Sequence, residues 1–253
     1  MSEPKVLIVD IETSPSRVWT WGLFNQNIGI NQVDKPGQMI CWAAKWVGQK
    51  KMHYRSEYTA GGRLEMVEEI WRLMDAADYI VHYNGTSFDV KHIHREMLLL
   101  GLGPPAPHKN IDLLKVVKQR FKFLSNKLQH VSEQLEIGQK LVHTGFDLWR
   151  GWMEEDPSSI KLMGRYCRQD VNLTEDLFDE LSDWIPPMQL RNAQLIDGAK
   201  PDVCPRPGCG SVDLHKDGFY YAPTSKYQRW RCENGHISRE SARVAGATLR
   251  EVT

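Results

Sequence analysis

Two acids stand two residues apart at the end of an aliphatic run. VLIVDIETSPS, Val6 to Ser16, places Asp10 and Glu12 directly after Val6-Leu7-Ile8-Val9. An unbroken run of this kind reads as a strand buried on both faces. Side chains alternate along a strand, so the two carboxylates point the same way, about 7 Å apart. Like charges so placed repel each other and resist burial. Alone, the pair also fits a solvated strand end. Its place at the carboxyl end of a hydrophobic strand favours a ligand site instead.

Two further acids have company that suggests chemistry. VHYNGTSFDVKHI (81–93) puts Asp89 at the start of a predicted helix, where a carboxylate can also serve only the helix dipole. In RYCRQDVNLTEDL (165–177), Tyr166 and Asp170 are four apart and so share one helix face. A structural Tyr–Asp pair would look the same. Near the C-terminus, Cys204-x4-Cys209 is followed by Cys232-x3-His236. Three thiolates and an imidazole make a closed four-ligand set suited to one structural Zn²⁺. His215 is a rival fourth ligand without the paired spacing.

Composition sets the bounds. The chain has 253 residues, 41% hydrophobic and 25% charged, and fits one large domain with a small appendage. Lys plus Arg and Asp plus Glu both number 32, so net charge points to no polyanionic partner and excludes none. No apolar run approaches the roughly 20 residues that span a bilayer. MSEPK lacks the pattern of a signal peptide, and the expectation is a cytoplasmic protein with no membrane partner. Five cysteines, three of them in the last fifty residues, argue for a metal rather than a disulfide framework.

The elements that must position these residues follow from periodicity. Strands are predicted at the N-terminal run and at 17–24, 39–48, 51–58 and 78–83, the third and fourth as a hairpin. Helices are predicted at 62–75, 88–100, 111–122, 126–136 and 157–184. Leu64, Val67, Trp71 and Met74 form the inner face of the first. Asp156-Pro157 opens the last. TGFDLWRGW is read as a loop. Strands followed by helices and one more strand give an α/β domain with a mixed sheet flanked by helices. Trp19, Trp21 and Phe24 could stack on bases, but aromatic strand residues favour a core reading. Asp112 reads as structural or a helix cap, and Lys140 as a solvated surface lysine that could otherwise approach a phosphate. His92 and His94, two apart on a helix, point to different sides.

Taken in order, D-x-E (Asp10, Glu12), N-x-x-x-F-D (Asn84, Phe88, Asp89) and Y-x-x-x-D (Tyr166, Asp170) resemble the motifs of the DEDD, or DnaQ-like, 3′→5′ exonucleases. The likeness is greatest to B-family DNA polymerase proofreading domains and covers about residues 4–184. Arg165 stands where histidine-type members carry their histidine, so the chain resembles the tyrosine type. The resemblance implies an RNase H-like fold, with Asp10, Glu12, Asp89 and Asp170 around two Mg²⁺ or Mn²⁺ ions. Tyr166 would orient the attacking water. Thr13, Asn84 and Phe88 would contact the terminal nucleotide. The implied reaction is hydrolysis of single-stranded 3′ ends to nucleoside 5′-monophosphates, with DNA favoured over RNA, in a bacterial or phage-infected cell.

The expected organisation is an exonuclease domain over 1–186, a linker over 187–200 and a zinc ribbon over 201–253. Residues 200–251 hold nine Lys/Arg against six Asp/Glu, with aromatics interleaved. That composition suits nucleic-acid contact, and a protein-docking role competes with it. Two other functions fit the same core: a structure-specific endonuclease, and an inactive nucleic-acid or protein adaptor.

Overall fold

The structure is a computed structural model and describes residues 4–185, 203–206, 208–222 and 225–246. The described residues fall into two compact units, one over 4–185 and one over 203–246. The expected linker over 187–200 lies outside the described residues.

The larger unit is α/β. Its sheet runs β5 (Met52–Ser56), β4 (Met39–Trp46), β1 (Val6–Thr13), β6 (Tyr79–His82), β7 (Lys109–Asp112). β4 is antiparallel to β1 and β5, whereas β6 and β7 run parallel to β1. β1 is central because both its faces are apolar enough to bury. Leu7, Val9 and Ile11 pack with Met39, Trp42 and Ala44 of β4 and with Met66, Val67, Ile70 and Met74 of α1 (Gly62–Asp75). The alternate residues Ile8, Asp10 and Glu12 therefore face the other way, towards the long helix α6 (Pro157–Leu181).

The remaining helices are α2 (Asp89–Leu99), α3 (Leu113–Arg120), α4 (Leu128–Gln134) and α5 (Phe146–Met153). α2 is tied to the sheet through the fully buried Glu96, which accepts from the Met39 amide at 3.3 Å and pairs with Arg63 and Arg95. The N-terminus of α6 is capped as its sequence predicts. Asp156 accepts from the Ser159 amide at 2.8 Å, and Pro157 begins the helix. Gly164 lets α6 approach β5, because a Cβ there would meet the Tyr54 hydroxyl at 3.0 Å. Arg168, one turn on, stacks over the Tyr54 ring at 4.0 Å.

Several expectations are corrected. The strand expected over 17–24 is reduced to β2 (Arg17–Val18), which pairs with β3 (Val33–Lys35) in a two-stranded ribbon outside the main sheet. Trp19, Trp21 and Phe24 are consequently exposed, not core. TGFDLWRGW holds α5, whose buried Trp152 donates to Glu57 at 2.8 Å and packs against Tyr58. The inner face of α1 is set by Met66, Val67, Ile70 and Met74; Leu64 is exposed and Trp71 only partly buried. The segment before α3 pairs as β7, which periodicity over four residues is too short to reveal.

In the C-terminal unit, β8 (Leu214–Ala222), β9 (Ser225–Cys232) and β10 (Ile237–Gly246) form an antiparallel three-stranded sheet in the order β10-β9-β8. No helix among the described residues is long and apolar enough to cross a membrane.

Candidate active site and metal centres

β1 delivers Asp10 and Glu12, and α6 delivers Asp170 from the sequence-distant end of the unit. Ligand oxygens of these three residues lie within 4.8 Å of one another. Contact between β1 and α6 is close enough for the Cys167 thiol to sit 3.6 Å from the Asp10 carbonyl oxygen. Asp89, at the start of α2, is buried beside the group without joining that tight set. Its Oδ1 accepts from the Ile11 amide, between the two β1 acids, at 3.2 Å.

Burial raises all four acids, and repulsion within the group adds to it at Asp10 and Glu12. Burial first, then Asp89, Asp170 and Glu12, hold Asp10 well above the usual carboxylate range. Glu12 is pushed up to about 8 by burial and Asp170. Burial takes Asp89 to about 7 against the backbone amides that favour its charged form. Asp170 is raised by burial despite Lys140. Burial also lifts Tyr166 to about 12, so its hydroxyl keeps its proton at neutral pH.

Lys140 is not the solvated lysine expected. Its ammonium pairs with Asp170 Oδ2 and donates to the Tyr166 hydroxyl at 3.2 Å. Burial would lower its pKa, but Asp170 and Tyr166 outweigh that and raise it. His143 and Trp149 frame the Tyr166 ring edge-on, with centroids 4.9 and 6.2 Å away. Sequence reasoning gave Lys140 the wrong surroundings and missed the other two. They lie in or beside the segment read as a loop, and only the docking of α5 brings them to α6.

The nucleotide-contact candidates are spread around the β6–α2 turn and the end of β1. Phe88 precedes α2, is partly exposed and packs against His92 at 4.6 Å. Asn84 has a left-handed backbone, φ 70°, a conformation that asparagine tolerates better than most residues. Asp112 accepts from the Asn84 and Thr86 amides at 3.0 and 3.3 Å, so its role is structural; it fixes the turn rather than capping α3. Thr13 lies past a register irregularity at the end of β1.

The acidic group fits hard divalent cations. All its donors are carboxylate oxygens, and Asp170 Oδ1 is buried without a hydrogen-bond partner. Three converging carboxylates, with one lysine against them, are short of positive charge.

The second group fits zinc on geometry. Tetrahedral Zn–S and Zn–N bonds of ordinary length put two sulfurs ~3.8 Å apart and a sulfur and nitrogen ~3.6 Å apart. Cys209 and Cys232 sulfurs lie 3.9 Å apart, and His236 Nδ1 is 3.8, 3.5 and 3.3 Å from the sulfurs of Cys204, Cys232 and Cys209. His215, on β8, is not in this set.

A family model for the RNase_H superfamily matches residues 7–182, well over half of the chain, and the chain belongs to that superfamily. Among solved structures, the fold is similar to that of the family B DNA polymerase from the hyperthermophilic archaeon Pyrobaculum calidifontis. The TM-score is 0.54 at 17% identity, over 88% of this chain and 32% of that one. Among curated proteins, one of Frog virus 3 (isolate Goorha) named "Putative DNA polymerase 060R" is 33% identical over 75 residues. Those residues are 30% of this chain and 7% of the viral one. The fold and the acidic group together support nuclease chemistry in general terms.

Proposed function

We propose that the chain is a metal-dependent 3′→5′ exonuclease acting on single-stranded nucleic acid, DNA in preference to RNA. The observation that carries this reading is the convergence of Asp10, Glu12 and Asp170, with Asp89 alongside. Asp10, Glu12 and Asp170 would hold one divalent ion, with Asp10 and Asp89 serving a second. Mg²⁺ or Mn²⁺ held there supplies Lewis acidity toward a phosphodiester and its attacking water.

The chain's own groups account for the rest. Asp10 and Glu12 release protons on ion binding, because both are raised in the free protein. Tyr166, raised to about 12, is unsuited as a base and orients the attacking water by hydrogen bonding. Phe88 offers a partly exposed ring to the terminal base, and Thr13 and Asn84 offer polar contacts. The ribbon binds one structural Zn²⁺ through Cys204, Cys209, Cys232 and His236. Its β9 alternates Lys226, Arg229 and Arg231 with Tyr227 and Trp230, which supports backbone contact to nucleic acid. Protein docking is the competing role for the ribbon.

A 5′-labelled oligonucleotide tests the reading. With Mg²⁺ the expected product is a ladder shortened stepwise from the 3′ end, with nucleoside 5′-monophosphates released. Internal fragments without monomers would replace the exonuclease by an endonuclease on the same core. No cleavage with Mg²⁺ or Mn²⁺ would leave the adaptor.

A further inference from the structure

The segment between β1 and β4 is an arm. Its root is pinned where Ser14 and Gln38 meet, the Ser14 amide donating to the Gln38 carbonyl at 2.8 Å, directly after the strand that carries Asp10 and Glu12. β2 and β3 form its stem, and residues 19–32 its tip. Trp19, Trp21 and Phe24 there are 73%, 101% and 83% exposed. A two-stranded ribbon has no second layer in which to bury them.

We propose that this arm is a stacking platform for single-stranded nucleic acid leading into the carboxylate group, with Trp19, Trp21 and Phe24 offering ring faces to successive bases. The inference rests on the nuclease reading and adds a binding surface to it.

Three observations support this occupant. From Thr13 to Val33 the sequence holds no Asp or Glu, so nothing on the arm between Glu12 and Asp34 repels a polyanion. Backbone reach is short: Trp19 is seven positions on from Glu12, at most ~25 Å of extended chain. The tip is also internally ordered. Trp19 N donates to the Gln32 carbonyl at 2.8 Å, and Gln32 Nε2 donates back to the Trp19 carbonyl at 3.0 Å. Gln26 Nε2 donates to the Phe24 carbonyl at 2.7 Å, and Thr20 Oγ1 to the Gly22 carbonyl at 3.0 Å. Polar groups are spent on holding the backbone that carries the rings, and the rings themselves stay open to a ligand. Stacking on such rings tolerates any base, as an enzyme that degrades strands of arbitrary sequence requires.

The test is equilibrium binding to the full-length protein in Ca²⁺, comparing fluorescent dT12 with dT2. The triple variant Trp19→Ala/Trp21→Ala/Phe24→Ala should lower the dT12-to-dT2 affinity ratio about ten-fold or more. The salt dependence of dT12 binding should stay the same, because stacking releases no counterions. Replacing the three residues by Phe, Phe and Tyr should restore the ratio, and replacing all three by Leu should not. An unchanged ratio in the alanine variant overturns the proposal, as does full rescue by leucine, which would mean apolar contact without stacking. Wild-type hydrolysis of dT12 in Mg²⁺ is read separately. If it is absent, the nuclease reading fails, while the affinity ratio still decides the arm.

Discussion

At the scale of single residues, Glu12 and Asp89 give the acidic group a pH signature. Their pKa values in the folded protein, about 8 and about 7, lie above those of the unfolded chain. Between roughly pH 4.5 and 8 the folded state therefore binds more protons than the unfolded state, and stability falls as pH rises. Protein dialysed free of Mg²⁺ and Mn²⁺ should melt at a lower temperature at pH 8.5 than at pH 5.5. Adding Mg²⁺ should recover most of the loss at the higher pH. A melting temperature that climbs with pH in the ion-free protein would contradict the burial of these acids. Tyr166 makes a different prediction. As a water-orienting hydroxyl raised to about 12, its loss in Tyr166→Phe should lower kcat about 10²-fold and leave KM nearly unchanged, measured under steady state. The four acids and Tyr166 stood out in the sequence as candidates because each sits in a motif with fixed local spacing, and the structure brings Asp10, Glu12 and Asp170 together. Lys140 was not: its role depends on reaching Asp170 and Tyr166 across the fold, and nothing in its neighbours reports that.

At the scale of elements, the β6–α2 turn positions Asp89, and its supports are specific. His82 accepts from the Gly85 amide on Nδ1 at 3.0 Å and faces Asn110 Oδ1 on Nε2 at 3.2 Å, an arrangement that suits a neutral ring. Burial lowers its pKa in the same sense. A Cβ at residue 85 would lie 2.4 Å from His82 Cγ, and that ring is fully buried and partnered at both nitrogens. Gly85→Ala should destabilise the protein by about 1–3 kcal/mol and misplace Asp89, seen as a lower denaturation midpoint together with lost activity. Asp112→Ala leaves the part-buried Asn84 and Thr86 amides without their acceptor and should cost about 1–3 kcal/mol in all, read as a lower denaturation midpoint. The strands β1, β4, β5 and β6 and the helices α1, α2 and α6 were readable from periodicity and caps. The arm and α5 were not. Aromatic residues in a β-prone run look like a core strand unless the absence of a covering layer is known. A short helix split by Gly151 has too little pattern to stand out, and that glycine is there because a Cβ would meet Ser159 Oγ at 2.1 Å.

At the scale of the whole molecule, two metal chemistries are separable. The ribbon has little apolar core, so its folding should depend on its ion. Chelation or Cys232→Ser should release one Zn²⁺ per chain, read with a colorimetric zinc indicator, and should leave the melting of the larger unit in place. A single cooperative loss of both units would contradict this independence. Removing residues 201–253 should weaken substrate binding more at low salt than at high salt if the ribbon meets the nucleic-acid backbone; unchanged affinity would favour protein docking. The sequence order of the three acidic motifs, spread over about 160 residues, is what made the site visible before any geometry. No local window contains it, and the sheet order β4-β1-β6 with α6 laid across β1 is what closes it.

Asp10, Glu12, Asp89 and Asp170 are proposed as one binding site for a pair of hard divalent ions. The most direct measurement is a Mn²⁺ titration of the zinc-loaded protein, followed by the electron paramagnetic resonance signal of free Mn²⁺, with proton release recorded in parallel. Two Mn²⁺ per chain, bound more tightly as pH rises from 6 to 9 and lost in Asp10→Ala while zinc is retained, is the predicted result. No Mn²⁺ uptake at millimolar concentration, or uptake that Asp10→Ala leaves unchanged, would contradict it.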